Sequence, residues 1–113
     1  MEDDLVAWGR VLRIETTGRV TGRTARATVG FAERAAGHSR VVVAAGSPNA
    51  SWALNLIADP ACRCTVGEDS WQAVARELAG AEHSAAVRDL ILKYGTPAES
   101  LGSGPAFELT RTG

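Results

Sequence analysis

The run Val41-Val42-Val43-Ala44-Ala45 constrains this chain more than any other segment. Valine is stiff at χ1 and fits a pleated surface, so a compact β-branched run with no polar break suits a strand buried on both faces. The segments before it are strands as well. Arg10 to Thr16 opposes Leu12 and Ile14 to Arg13 and Glu15, the alternation of a half-buried strand. Thr17 to Thr24 is a turn carrying Gly18 and Gly22. Ala25 to Arg34 returns through Val29 and Phe31 as a second strand, and Ala35 to His38 turns into the valine run, the third.

After Gly46-Ser47-Pro48-Asn49 the period changes. Ser51 to Asp59 reads as a short helix stopped by Pro60, because the residue before proline is pushed out of the α region. Asn49 or Ser51 can cap its first turn. Trp52 and Leu56 share one face, with Ala53 and Ile57 beside them. Ala61 to Val66 is a strand, Gly67-Glu68-Asp69 a turn, and Ser70 to Leu78 the hairpin partner, with Trp71 and Val74 expected to pack. Val87, Leu90, Ile91 and Tyr94 form an i, i+3, i+4, i+7 stripe, which predicts a helix from near Ser84. Lys93 sits in its last turn, and Gly95 and Pro97 end it. Pro97 to Pro105 is a connector, and Phe107 to Arg111 a final strand. With a short helix before Arg10, the expectation is a mainly β, antiparallel small barrel with packed helices, one domain over residues 1–113.

Composition narrows the function classes. Twelve basic residues against thirteen acidic ones give a net charge of −1, so no global basic field exists for nucleic acid. No apolar stretch approaches the roughly 20 residues of a membrane span. The acidic start, Met1-Glu2-Asp3-Asp4, is unlike a secretory leader, so the expected compartment is the cytoplasm. Cys62 and Cys64 stand two apart, the wrong spacing for a redox or zinc C-x-x-C pair, and on a strand they share one face as small buried hydrophobes. His38 and His83 lie far from each other and from both cysteines, so no metal site is expected. No Ser-His-Asp arrangement and no carboxylate pair stands out. If the chain is an enzyme, the reactive atoms belong to a bound cofactor, and no catalytic residue is assigned.

Charge is balanced globally but not locally. Between Arg10 and Arg26 lie five arginines and one acid, a local excess of +4 in seventeen residues. Within it the turn Thr16-Thr17-Gly18-Arg19-Val20-Thr21-Gly22-Arg23 combines glycines that turn with positive φ, hydroxyl donors, and guanidinium forks that match phosphate oxygens in pairs. Successive amides in such a turn form an anion-binding nest. That points to a phosphate or carboxylate pocket at Gly18 to Arg23, against the alternative of an ordinary hairpin with solvated arginines. The first amides of the helix at Ser51 offer a second set of donors, with Ser47 and Asn49 nearby. Trp52 is open between core packing and a ligand platform. Asn55, one turn later, is placed to close the helix against a neighbouring strand.

The octapeptide Thr16 to Arg23 resembles the T-T-G-R-x-[ST]-G-[KR] turn of the deazaflavin-dependent nitroreductase family. Ser51-Trp52-Ala53-Leu54-Asn55-Leu56-Ile57-Ala58-Asp59-Pro60 is similar to that family's W-x-x-N-L-x-A-[ND]-P helix, and Cys62 to Gly67 to its V-x-V-x-x-G strand. The likeness spans about Leu12 to Leu78. It implies a split β-barrel related to flavin-binding barrels, often a homodimer, and the deazaflavin coenzyme F-420, whose reduced form donates hydride from ring carbon C5 to a small organic acceptor. It implies that Arg19, Thr21, Gly22 and Arg23, with Thr17 and Gly18 beside them, hold the coenzyme's phosphate and acidic tail. Arg26, Ala27 and Thr28 would line the ring with backbone groups, Ala45, Gly46 and Ser47 would approach from the other side, and Trp52 and Asn55 complete the candidate set. Many members have lysine where this chain has Val20, so the resemblance implies one phosphate contact fewer, and of the tyrosine-rich C-terminal segment that shapes the substrate pocket in some members only Tyr94 remains. FMN in the same barrel, and a non-catalytic ligand-binding dimer, are the alternatives.

Overall fold

Seven strands form one antiparallel sheet whose two outermost strands are joined in sequence by a single residue. In a computed structural model, residues 6–95 and 101–112 are described. The strands are β1 (Leu12–Thr17), β2 (Thr24–Val29), β3 (Phe31–Ala35), β4 (Arg40–Ala44), β5 (Ala61–Val66), β6 (Asp69–Leu78) and β7 (Ala106–Arg111). A 3-10 turn (Ala36–His38) links β3 to β4, and the two helices are α1 (Ser51–Ala58) and α2 (Gly80–Tyr94). The sheet order is β2-β1-β5-β6-β7-β4-β3. Only Gly30 separates β2 from β3, yet they are the two edges of that order. The sheet must therefore roll up until its edges approach, which makes an antiparallel split barrel.

Alternation decides what lies inside. Leu12 and Ile14 of β1 point into the barrel and are fully buried, with Val41, Val43, Cys64, Trp71, Phe107 and Leu109. Ala53 and Leu56 of α1 join the same core, so this helix plugs the barrel. Val42 and Ala44 point the other way, into a second core with Leu78, Ala86, Leu90 and Ala106 beneath α2. The valine run is thus buried on both faces, as its composition requires. Cys62 and Cys64 are free, buried thiols on the inner face of β5.

Four expectations are corrected. Ala25 to Arg34 is not one strand: it breaks at Gly30, where a Cβ would stand 2.9 Å from Cε2 of Tyr94. The chain changes sheet edge there, with the Tyr94 ring against the glycine. Val74 is 44% exposed while Trp71 is buried, because residues three apart on a strand face opposite sides. Neither Asn49 nor Ser51 caps α1: Ala50 is its N-cap and no side chain bonds there. Finally, α2 begins at Gly80, a full turn before Ser84. Its first residues are exposed, so no apolar stripe announces them. Glu82 is instead held by Arg76 of β6, with nitrogen–oxygen distances of 2.9 and 3.2 Å. The short helix expected before Arg10 and the connector from Pro97 to Pro105 fall partly outside the described residues.

Candidate functional site

The β1–β2 hairpin carries its tip into solvent and is tethered to α1 from the side. The ladder ends at the pair Thr17 and Thr24. Beyond it the Gly18 amide donates to the Arg23 carbonyl at 2.8 Å, and the Gly22 amide donates to the Gly18 carbonyl at 2.8 Å. Gly22 has φ +75°, a conformation that suits glycine. The Arg23 amide donates to Thr21 Oγ1 at 3.3 Å. These bonds leave the Val20 and Thr21 amides without a partner among the described residues, and residues 19–24 are all exposed. The tip is therefore a cluster of uncommitted N–H donors beside Arg19 and Arg23, with the chemistry of an anion nest.

Asn55 accounts for the tether. It is 2% exposed on α1, and its Oδ1 accepts from the Arg19 amide at 3.2 Å and from Arg19 Nη1 at 2.8 Å. Its Nδ2 donates to Thr16 Oγ1 at 3.1 Å, inside the barrel wall. Arg19 Nη1 also donates to the Ser51 carbonyl at 3.3 Å. The expectation that Asn55 closes the helix against a strand is met, and the strand is β1. Thr16, read as a donor toward a ligand, is instead 2% exposed and serves as Asn55's acceptor.

Thr17, Gly18, Arg19, Thr21, Gly22 and Arg23 thus stand together in one hairpin tip, which Arg19 ties to α1. The loop before that helix runs into its first turn and makes its own contacts with the chain at 103–105. Ala45 is buried, its amide donating to the Pro105 carbonyl at 2.9 Å, while Gly46 and Ser47 are exposed. Ser47 Oγ accepts from the Asn49 amide at 3.1 Å. Trp52 is half-buried, its ring 5.8 Å from that of Phe107 and tilted by 58°. Ala27, Trp52 and Ala45 all pack on the inner core. Arg26 and Thr28 lie on β2, which pairs only with β1, so alternate backbone groups of β2 face an open edge. Arg26 faces Glu15, Nε to Oε2 3.7 Å. A polar groove of about 260 Å³ starts at the foot of the hairpin, between Thr17 and Thr24, and runs over Cys62, Arg63 and Gln72.

A second polar cluster escaped the sequence reading. His38 Nε2 lies 2.9 Å from Glu33 Oε1 and Nδ1 lies 3.2 Å from Asp69 Oδ2, while its ring stacks on Trp71 at 5.0 Å. Arg111 Nη1 is 3.3 Å from the same Asp69 oxygen. The hydrogen bond from His38, aided by the Arg111 charge, holds the Asp69 carboxyl below the usual carboxylate range. These residues sit where β1 begins, at the opposite end of the barrel from the hairpin tip. The only sequence hint was the pair of turns that carry them.

Comparison with known proteins places the fold and the family. The family model described as F420H(2)-dependent quinone reductase matches residues 6–97. A search of curated proteins gives no match. Among solved structures, an F420-H2 dependent reductase (FDR-A) is 23% identical, with 88% of this chain and 93% of that chain covered and a TM-score of 0.73. A structure described as a domain-swapped dimer is 21% identical, covering 95% of this chain and 92% of that one, with a TM-score of 0.72. HutZ, the heme storage protein from Vibrio cholerae, is 16% identical over 98% of this chain and 87% of its own, with a TM-score of 0.74. At these identities the structures establish the split-barrel fold that all three share with this chain.

Proposed function

The chain belongs to the F420H(2)-dependent quinone reductase family, whose members are oxidoreductases that work with coenzyme F-420, and from that premise we propose that it passes hydride from the reduced coenzyme to a quinone-like, nitro-aromatic or conjugated acceptor. The observation that carries this reading is the hairpin tip: uncommitted amides at Val20 and Thr21 and two exposed arginines, fixed against the first turn of α1. That donor set suits a phosphate followed by a string of carboxylates.

When bound, the reduced coenzyme supplies a hydride from ring carbon C5. This chain's residues have the work of binding and alignment. Thr17, Gly18, Arg19, Thr21, Gly22 and Arg23 hold the anionic end. The open edge of β2 offers backbone groups to the ring at Arg26 and Thr28, on either side of Ala27, and Ala45, Gly46 and Ser47 close the other side. Trp52 supplies an apolar wall, and Asn55 supports the whole from below. Hydride transfer needs the donor carbon and the acceptor held in near-attack geometry and no protein nucleophile, which suits a site without one. The same reading makes residues 1–113 one domain that works in the cytoplasm as a homodimer. The structural neighbour described as a domain-swapped dimer supports the pairing, and no helix among the described residues is long and apolar enough to cross a membrane.

Titration of the purified chain with coenzyme F-420 tests the proposal. Quenched or polarised coenzyme fluorescence is expected, followed by oxidation of the reduced coenzyme when a naphthoquinone is added. No optical response at roughly tens of micromolar coenzyme, where ordinary cofactor affinities saturate, would remove the proposal.

A further inference from the structure

Asn55 is an amide only 2% exposed whose three side-chain hydrogen bonds all go to residues at least thirty-six positions away in sequence. Packing alone does not require it. An aliphatic side chain would fill the same place between α1 and β1 without bringing a polar group that must be satisfied. What the amide adds is a link from the barrel wall, at Thr16, to both the backbone and the guanidinium of Arg19 in an exposed tip.

The link has a specific chemical consequence. An exposed arginine samples many rotamers and loses that freedom when it grips a ligand. Here Nη1 spends its two hydrogens on Asn55 Oδ1 and the Ser51 carbonyl. Of the five guanidinium donors, those on Nη2 and Nε have no partner among the described residues. The side chain is thus held in one orientation by one corner while the rest of the fork stays available. The Arg19 amide is bound to the same oxygen, which fixes the start of the tip and with it the direction of the Val20 and Thr21 amides.

We propose that Asn55 is a positioning residue for the anion-binding tip: it makes no contact with the coenzyme and acts by pre-setting Arg19 and the hairpin backbone for the coenzyme's phosphate. This rests on the reading of the hairpin as the anionic subsite. Asn55 would then govern the affinity for the charged part of the coenzyme and leave the affinity for its ring untouched.

The experiment compares wild type, Asn55→Ala, Thr16→Val, Arg19→Ala and the double variant Arg19→Ala/Asn55→Ala. Each is titrated with coenzyme F-420 and with the uncharged deazaflavin riboside that lacks the phosphate and tail. The ligand-free proteins are followed by amide hydrogen exchange at Arg19. Asn55→Ala is expected to weaken coenzyme binding by about tenfold, the scale of one charge-assisted bond, and riboside binding by less than about twofold. It should speed exchange at Arg19. In the Arg19→Ala background the same change should cost clearly less than tenfold, since the guanidinium bond is already gone and only the bond to the backbone amide of residue 19 remains. Thr16→Val keeps the volume and removes the acceptor of Asn55 Nδ2. It should give the same selective loss in smaller degree, and it carries the test if Asn55→Ala does not fold.

Equal losses for coenzyme and riboside, an unchanged coenzyme affinity, or a full tenfold cost in the Arg19→Ala background would each overturn the positioning role while leaving the anionic subsite standing. A wild-type chain that binds neither compound overturns both.

Discussion

Tyr94 fills the place of the side chain that Gly30 lacks. Its Cε2 would lie 2.9 Å from a Cβ on that glycine. Its hydroxyl accepts the Phe31 amide at 3.0 Å and donates to the Arg10 carbonyl at 2.7 Å. The break between β2 and β3 removes ladder partners from the backbone, and the last residue of α2 replaces them. Lys93 beside it donates to the Phe31 carbonyl at 2.7 Å and lies 3.5 Å above the Phe31 ring.

Tyr94→Phe keeps the ring and removes both bonds. A loss of about 1–2 kcal/mol is expected, because the Phe31 amide is left without its acceptor in a half-buried site. Thermal melting should show it as a drop of several degrees. An unchanged melting temperature would mean that water replaces the hydroxyl there at no cost.

The two tip arginines should separate. Arg23 makes no side-chain bond among the described residues, so Arg23→Ala should weaken coenzyme binding by roughly 1.5–3 kcal/mol and leave melting unchanged. Arg19→Ala should weaken binding and also lower the melting temperature, since it removes two bonds to α1. Identical melting curves for the two variants would count against the tether.

Gly22→Val places a β-branched residue at φ +75°. Nothing lies within 4 Å of the new Cβ, so the cost is backbone strain alone, about 1–3 kcal/mol. Gly22→Asn should be milder, because asparagine tolerates the left-handed region. Circular dichroism melts of the pair would show whether that order holds.

Asp69 gives a pH dependence. Its carboxyl titrates below the ordinary value in the folded chain, through the His38 hydrogen bond first and the Arg111 charge next. A depressed carboxyl pKa means that the unfolded chain binds the proton more readily. The contribution is complete above the ordinary carboxylate value of about 4 and is lost as pH falls through the lower folded value. Asp69→Asn should flatten melting temperature against pH in that acid range and leave the slope above about pH 6 unaltered. A variant whose acid limb overlays the wild type would exclude Asp69 as a contributor.

Much of this arrangement is local and was legible in the residues. The valine run announces its two buried faces, alternation in β1 separates Leu12 and Ile14 from Arg13 and Glu15, and the Thr16-to-Arg23 octapeptide announces a basic turn. These are properties of neighbouring residues, and backbone sterics with side-chain period are enough to read them. The first turn of α2 buries nothing and so carries no apolar signal, and Val74 faces outward because three steps along a strand end on the face opposite Trp71.

Tertiary structure alone decided the rest. A glycine at position 30 looks like any other in a strand until Tyr94, sixty-four residues later, occupies its missing side chain where the chain passes from one edge of the sheet to the other. Arg19 reads as one of five similar arginines until Asn55 takes hold of it, and His38 as a turn residue until Glu33 and Asp69 flank it. Each depends on which distant segments meet when the sheet closes. Periodicity fixes the face a residue presents, whereas its partner follows from strand order, and no local pattern encodes strand order.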